Sequence, residues 1–189
     1  MTELATETRG IKIALVGYSI LFILQLAAYF LTNILVLFAQ AVEVLSDVLV
    51  SSFLLLSVFW SRRPADEIHM FGHGRAQNVA ALVSATIFIS FMSLEVFREA
   101  IPKFFEAPRP SEMGSTSIAA IVILVSMLVL AIPIVDILRS KSRGVSVKAQ
   151  LIQLLKDEFS YVPALVGIIL VERGYYFADP LASVLIGVV

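Results

Sequence analysis

A carboxylate pair, Glu43 and Asp47, sits inside the most apolar stretch of this chain, Ile34 to Trp60. That run is long enough to cross a bilayer as a helix, which takes about 20 residues. Residues four apart share a helical face, so both acids point the same way and repel each other. A charge in hydrocarbon costs about 2.5–3.5 kcal/mol on insertion scales. The sequence places no cation beside the pair. Such a pair is best explained by something positive that visits it, and a divalent cation is the natural candidate.

Composition agrees with a bilayer setting. The 189 residues are 59% hydrophobic and 15% charged, against about 45–50% and 25% in a soluble domain. This is the composition of an integral, multi-pass membrane protein, and a cell membrane (plasma or inner) is the expected location. The formal net charge of −1 argues against a nucleic-acid partner, because phosphate binding needs clustered basic surface. With no cysteine, disulfides and thiolate metal sites are excluded. The polar stretch Met1 to Gly10 leads into apolar sequence too long for a cleaved signal peptide.

The hydrophobic runs predict an all-α, polytopic six-helix transmembrane bundle. A cytoplasmic N-terminal segment, 1–11, precedes a transmembrane domain, 12–189. Its spans are 12–32, 34–60, 79–101, 116–138, 147–171 and 175–189. The last is too short to cross, so the sixth helix is expected to be truncated at the end of the chain. Nine basic residues (Arg9, Lys12, Arg62, Arg63, Arg75, Arg139, Lys141, Arg143, Lys148) fall at the N-terminus and in the second–third and fourth–fifth loops. Three (Lys103, Arg109, Arg173) fall on the other side. The imbalance predicts a cytoplasmic N-terminus. Pro102, Pro108 and Pro110 predict an extended external loop, and Pro133 and Pro163 lie within spans.

Gln40, Glu43, Asp47 and Ser51 step by three or four along the second helix. The fifth carries a similar stripe of Gln150, Gln153, Asp157 and Ser160 or Tyr161. Facing the stripes builds an oxygen-rich pocket from Glu43, Asp47, Gln153 and Asp157, the way helical bundles build metal sites. Hydrogen-bonded helix packing is the competing account for Gln40, Gln150 and Ser51. Lys156 and Glu158 are expected off this face, since adjacent helical positions point about 100° apart. A pairing of Lys156 with Glu95 or another acid is one possibility. Glu95, Arg98 and Glu99 read as an interfacial charge cluster. The loop from Ser61 to Gln77 holds Asp66 and both histidines, His69 and His73. These three supply the donors for a second, exposed metal site, or else pack locally within a structural loop. Gly72 and Gly74 would give the tight turn there.

With these residues in view, the chain resembles the cation diffusion facilitator family of divalent-metal/proton antiporters. The stretch from Arg62 to Ala76 is close to that family's second–third connection, and Ala39 to Asp47 resembles its second-helix metal motif. Asp157 sits where a fifth-helix aspartate is expected, and Ala178 to Ser183 resembles the opening of the sixth helix. The resemblance implies a transport site of Glu43, Asp47, Gln153 and Asp157, and a loop site of Asp66, His69 and His73. It also implies a homodimer and a cytoplasmic C-terminal domain that this stretch does not include. Two departures stand out, because Glu43 and Gln153 occupy positions where the family commonly has His or Asp.

The expected activity is proton-coupled efflux of a divalent metal, which is cargo; no organic cofactor is implied. The partners are then the lipid bilayer, metal ions and protons. Proton and metal compete for the same carboxylate oxygens. An all-oxygen site without imidazole moves the expectation from Zn²⁺ toward Mn²⁺ or Fe²⁺. Two rival readings are a non-transporting metal-binding scaffold or sensor, and a membrane-embedded metal-dependent enzyme acting on lipid phosphates. The enzyme needs acids and basic residues gathered at one membrane face, whereas these acids lie well inside their spans. No nucleophile–base pair is visible.

Overall fold

The computed structural model describes residues 2–60, 74–105, 113–139 and 145–188. Among them the fold is all-α, with six helices and no strand. They are α1 (Thr2–Thr32), α2 (Leu35–Trp60), α3 (Gly74–Phe105), α4 (Thr116–Arg139), α5 (Val145–Glu172) and α6 (Ala178–Val188). The helix ends differ from the sequence reading most at α1 and at both ends of α3, which begins at Gly74 and not near 79. Helix α1 starts ten residues before the apolar run, because the leading Glu, Leu and Ala are good helix formers. Helix α3 runs through Pro102, placed above in an external loop. With only three residues left to the helix end, the lost hydrogen bond and the crowding of the i−4 carbonyl by the ring disturb only the last turns. Lys103 and Glu99, one turn apart across it, form an ion pair at 3.0 Å.

Polarity is distributed inside out. Gln25, Gln40, Asp47, Ser126, Asp157, Ser160, Asp179 and Ser183 are buried. The exposed face of α4 is a strip of Ile118, Ile121, Leu124, Leu128, Ile132 and Val135. In water a patch of this size would drive association, whereas hydrocarbon leaves it at no cost. Two helices, Ala14–Thr32 and Thr116–Arg139, are long and apolar enough to cross a membrane by length and composition.

Packing divides the helices into a four-helix group and a flanking pair. Helices α1, α2, α4 and α5 enclose most of the core, and α3 and α6 lie together against α2. The core is built from Leu21, Ile34, Leu37, Ile123, Leu154 and Ile168. At Gly167 of α5 an added Cβ would stand 2.7 Å from the Ala182 Cβ of α6, so a hydrogen at this position is what permits the close approach. Helix α5 ends on Gly174, whose φ of 93° belongs to the left-handed region. Its N–H donates to the Val171 carbonyl and that of Tyr175 to the Leu170 carbonyl, both at 2.9 Å. This paired reversal satisfies carbonyls that a helix end leaves open.

The junction between α1 and α2 is only two residues long, Asn33 and Ile34. Asn33 takes φ 54°, a conformation that its side chain tolerates better than most. Its N–H donates to the Tyr29 carbonyl at 2.7 Å. Helix α2 then begins with its first N–H groups facing inward. The Asp179 carboxylate, on the first turn of α6, accepts from Leu35 N–H and Val36 N–H at 2.8 Å each. Asp179 has no exposed surface. Two helix N-termini, each with partial positive charge, therefore meet at one buried carboxylate. Asp179→Ala strands both donors, at about 1–3 kcal/mol for each group left unpaired. The expected result is a clearly lower unfolding temperature in detergent, with Asp179→Asn intermediate because one amide oxygen can still accept.

Candidate metal site

Helices α2 and α5 run antiparallel past each other. Gln40 and Glu43 both meet Ser160, and Asp47, further along α2, meets Gln153, which is earlier on α5. At 1.5 Å per residue, Asp47 and Asp157 each lie about 18 Å from the start of their helices, close to the middle. The two stripes seen in the sequence therefore do face each other. Asp47 is 5% exposed and Asp157 4%.

Each of the three acids has one oxygen engaged by a neutral donor. Gln153 Nε2 donates to Asp47 Oδ1 at 2.8 Å. Ser160 Oγ lies 2.7 Å from Glu43 Oε2 and 2.8 Å from the Asp157 carbonyl oxygen, the two acceptors that share its one proton. The Tyr18 hydroxyl, from α1, donates to Asp157 Oδ2 at 2.9 Å. In each acid the other oxygen, Glu43 Oε1, Asp47 Oδ2 or Asp157 Oδ1, is buried without a hydrogen bond. Gln40 Nε2 donates to the Ser160 carbonyl at 3.2 Å and to its Oγ at 3.1 Å. This matches the helix-packing account of Gln40, and it also turns the serine toward Glu43. The side chains of Ser51 and Gln150 lie outside the described ones.

Lys156 corrects the expectation that it lies off this face. Of the pairings left open, with Glu95 or another acid, it takes the second: its Nζ stands 3.4 Å from both Glu43 Oε1 and Asp157 Oδ1. The backbone direction at 156 does differ from that at 157, but a four-carbon stem reaches round the helix where a short side chain cannot. So the acids are not without a cation, as the sequence had suggested. Two of the three open oxygens face this ammonium. Glu95 instead pairs with Arg98 at 3.4 Å, on the exposed flank of α3.

Among the described residues no three Asp, Glu or His groups form a ready-made metal cluster. Gln153 also presents its amide nitrogen to Asp47. An amide ligates through oxygen, so metal binding there requires the amide to turn over. Asp66, His69 and His73 lie outside the described residues.

Two participants escaped sequence reasoning. Lys156 was set aside on angular grounds. Tyr18 went unnoticed, although Tyr18, Leu21, Gln25, Ala28 and Thr32 form a buried stripe at three- and four-residue spacing. A glutamine in such a stripe was the available signal. Gln25 Nε2 lies 3.2 Å from Ser126 Oγ of α4 and 3.1 Å from the Tyr161 hydroxyl of α5, fastening α1 beside the acids.

Comparison with known proteins identifies the family. The chain is 32% identical over 170 residues to the cation-efflux pump FieF of Serratia proteamaculans (strain 568), an overlap of 90% of this chain and 56% of the relative. With the cation-efflux pump FieF of Cronobacter sakazakii it shares 32% over 173 residues, again 90% and 56%. With that of Citrobacter koseri it shares 29% over 181 residues, covering 96% and 60%. The chain thus spans little more than half the length of these relatives, which are named as pumps and not as enzymes. The cation efflux transmembrane domain matches residues 11–189, and with that coverage the chain belongs to the cation efflux family.

Proposed function

We propose that this chain is the membrane-spanning part of a divalent-cation efflux transporter, exchanging metal for protons at a site formed by Glu43, Asp47, Gln153 and Asp157. The observation that carries the reading is the set of three enclosed carboxylates, each with one oxygen that has no hydrogen bond, two of these oxygens facing only the Lys156 ammonium. Buried acids normally complete their hydrogen bonds. Open oxygens on two facing helices, in a family of cation-efflux domains, are what a mobile cation would need. The six helices are read as six spans with the N-terminus cytoplasmic, and the loop residues Asp66, His69 and His73 as an accessory metal site facing the cytoplasm. A homodimer in a cell membrane completes the proposal.

The mechanism follows from charge. With the pocket open inward, a divalent ion binds Glu43, Asp47 and Asp157, and the Gln153 amide turns its oxygen toward it. Protons held by the carboxylates leave as the ion arrives, because one set of lone pairs cannot serve both. Rocking of the helices then opens the pocket outward around a fixed site. Protons entering from outside neutralise the acids, and the ion departs. Tyr18 and Ser160 hold two carboxylates in place through both halves of the cycle. The oxygen-only donor set favours Mn²⁺ or Fe²⁺ over Zn²⁺. A second reading, a metal-binding scaffold that does not transport, draws on the Lys156 ammonium beside two of the acids.

Purified protein in proteoliposomes tests these statements. Asp47→Ala and Asp157→Ala should reduce metal-driven proton flux to that of empty vesicles; intact flux in either removes the site assignment. In a panel of Mn²⁺, Fe²⁺, Co²⁺, Ni²⁺, Cd²⁺ and Zn²⁺, a zinc-only profile overturns the hard-ion preference. Because bound metal and bound protons exclude each other, apparent metal affinity falls as pH falls on the loading side. Acidifying the release side should accelerate efflux, and reversing the gradient should stall it. Gln153→His replaces an amide by an imidazole and is expected to shift relative transport toward Zn²⁺ by a few fold.

A further inference from the structure

Lys156 is the one charged group at the site that the exchange cycle does not use. It follows Leu155 on an apolar stretch of α5 and precedes Asp157, yet its ammonium lies equidistant, at 3.4 Å, from an oxygen of Glu43 and an oxygen of Asp157. Those oxygens belong to different helices, and neither has a hydrogen bond. The ammonium therefore bridges α2 and α5 at the gap a metal ion would bridge. The lysine side chain is 40% exposed, against 11% for Glu43 and 6% for Asp157. It is therefore the least enclosed of the three groups, held at the edge of the α2–α5 contact and not within the core.

We infer that Lys156 is a tethered counter-cation: its single ammonium offsets part of the charge of Glu43 and Asp157 in the metal-free protein, and an incoming divalent ion binds by displacing it. The inference rests on the transport site proposed above. It moves a charge and not a proton. A divalent ion at the same place has twice the Coulomb attraction of an ammonium for each carboxylate, so it wins the exchange. A monovalent ion has no such advantage over a competitor tethered one residue from Asp157, whose effective concentration is on the order of millimolar or above. Lys156 is thus a specificity-determining residue that sets a threshold favouring double charge. Lysine suits this role where arginine does not. Its ammonium is a point charge on a flexible stem, whereas a guanidinium clamps carboxylates through paired hydrogen bonds.

The test is metal binding by detergent-purified full chain, with Mn²⁺ read by loss of the free-ion EPR signal and Zn²⁺ by calorimetry. Flux in proteoliposomes is measured in parallel. Lys156→Gln and Lys156→Met remove the competitor and should tighten Mn²⁺ binding about fivefold, the scale of one partly exposed ion pair. In transport the same variants should lower KM for the metal and admit inhibition by monovalent cations that the parent chain ignores. Lys156→Arg should weaken binding. Circular dichroism and monodispersity confirm that each variant is folded, and if one is not, the other neutral variant decides. Binding that is unchanged or weaker in both folded neutral variants overturns the inference. Tighter binding without flux in any of the proteins upholds Lys156 as a counter-cation and overturns the transport reading. No binding by parent or variants overturns both.

Discussion

Three carboxylates in the middle of an apolar bundle are the constraint that organises this protein. Removing an ion from water costs several kcal/mol even after relaxation. A hydrogen bond to a charged group returns about 1.5–3 kcal/mol. One neutral donor per acid, from Tyr18, Gln153 and Ser160, therefore offsets only part of the penalty. The Lys156 ammonium supplies more, but only to Glu43 and Asp157. Asp47 keeps an oxygen with no hydrogen bond. The bundle is thus arranged to hold negative charge that its own side chains neutralise incompletely. In the proposed cycle, a cation from outside completes the balance.

Holding that arrangement is the work of groups far from it. Asp179 binds the first two N–H groups of α2 and so fixes where the α2 stripe begins. At Gly167, α6 comes close against α5, and α6 also contacts α2. The two helices that carry the acids are therefore both braced by α6. Gln25 adds a brace from the other side, joining α1 to α4 and α5. The Asp179 and Gln25 contacts are polar and directional, which matters in a bilayer because hydrophobic burial alone does not choose one helix pairing over another.

Much of this was legible in order of residues alone. Six helices follow from runs of apolar residues, since a chain in hydrocarbon has to satisfy its backbone within each segment. The Glu43–Asp47 and Gln153–Asp157 stripes were legible because four-residue spacing fixes a common face for short side chains. Lys156 was misread for the complementary reason. A long side chain is not bound to the direction of its Cα–Cβ bond, so angular spacing does not locate its ammonium. Tyr18 had only the Gln25 stripe to signal it, and nothing local pointed to its partner 139 positions away. Helix ends moved for local reasons: α1 extends through polar helix formers, and α3 tolerates Pro102 near its terminus.

The sequence by itself determined that acids and amides would share faces of two apolar helices, because helical geometry and the cost of intramembrane charge leave little alternative. Only the tertiary structure decided which partner each oxygen has. Pairing two stripes antiparallel sets Gln153 on Asp47 and Ser160 on Glu43, and a third helix brings Tyr18 to Asp157. Register between helices depends on side-chain packing summed over the whole bundle. No single helix's periodicity contains that information.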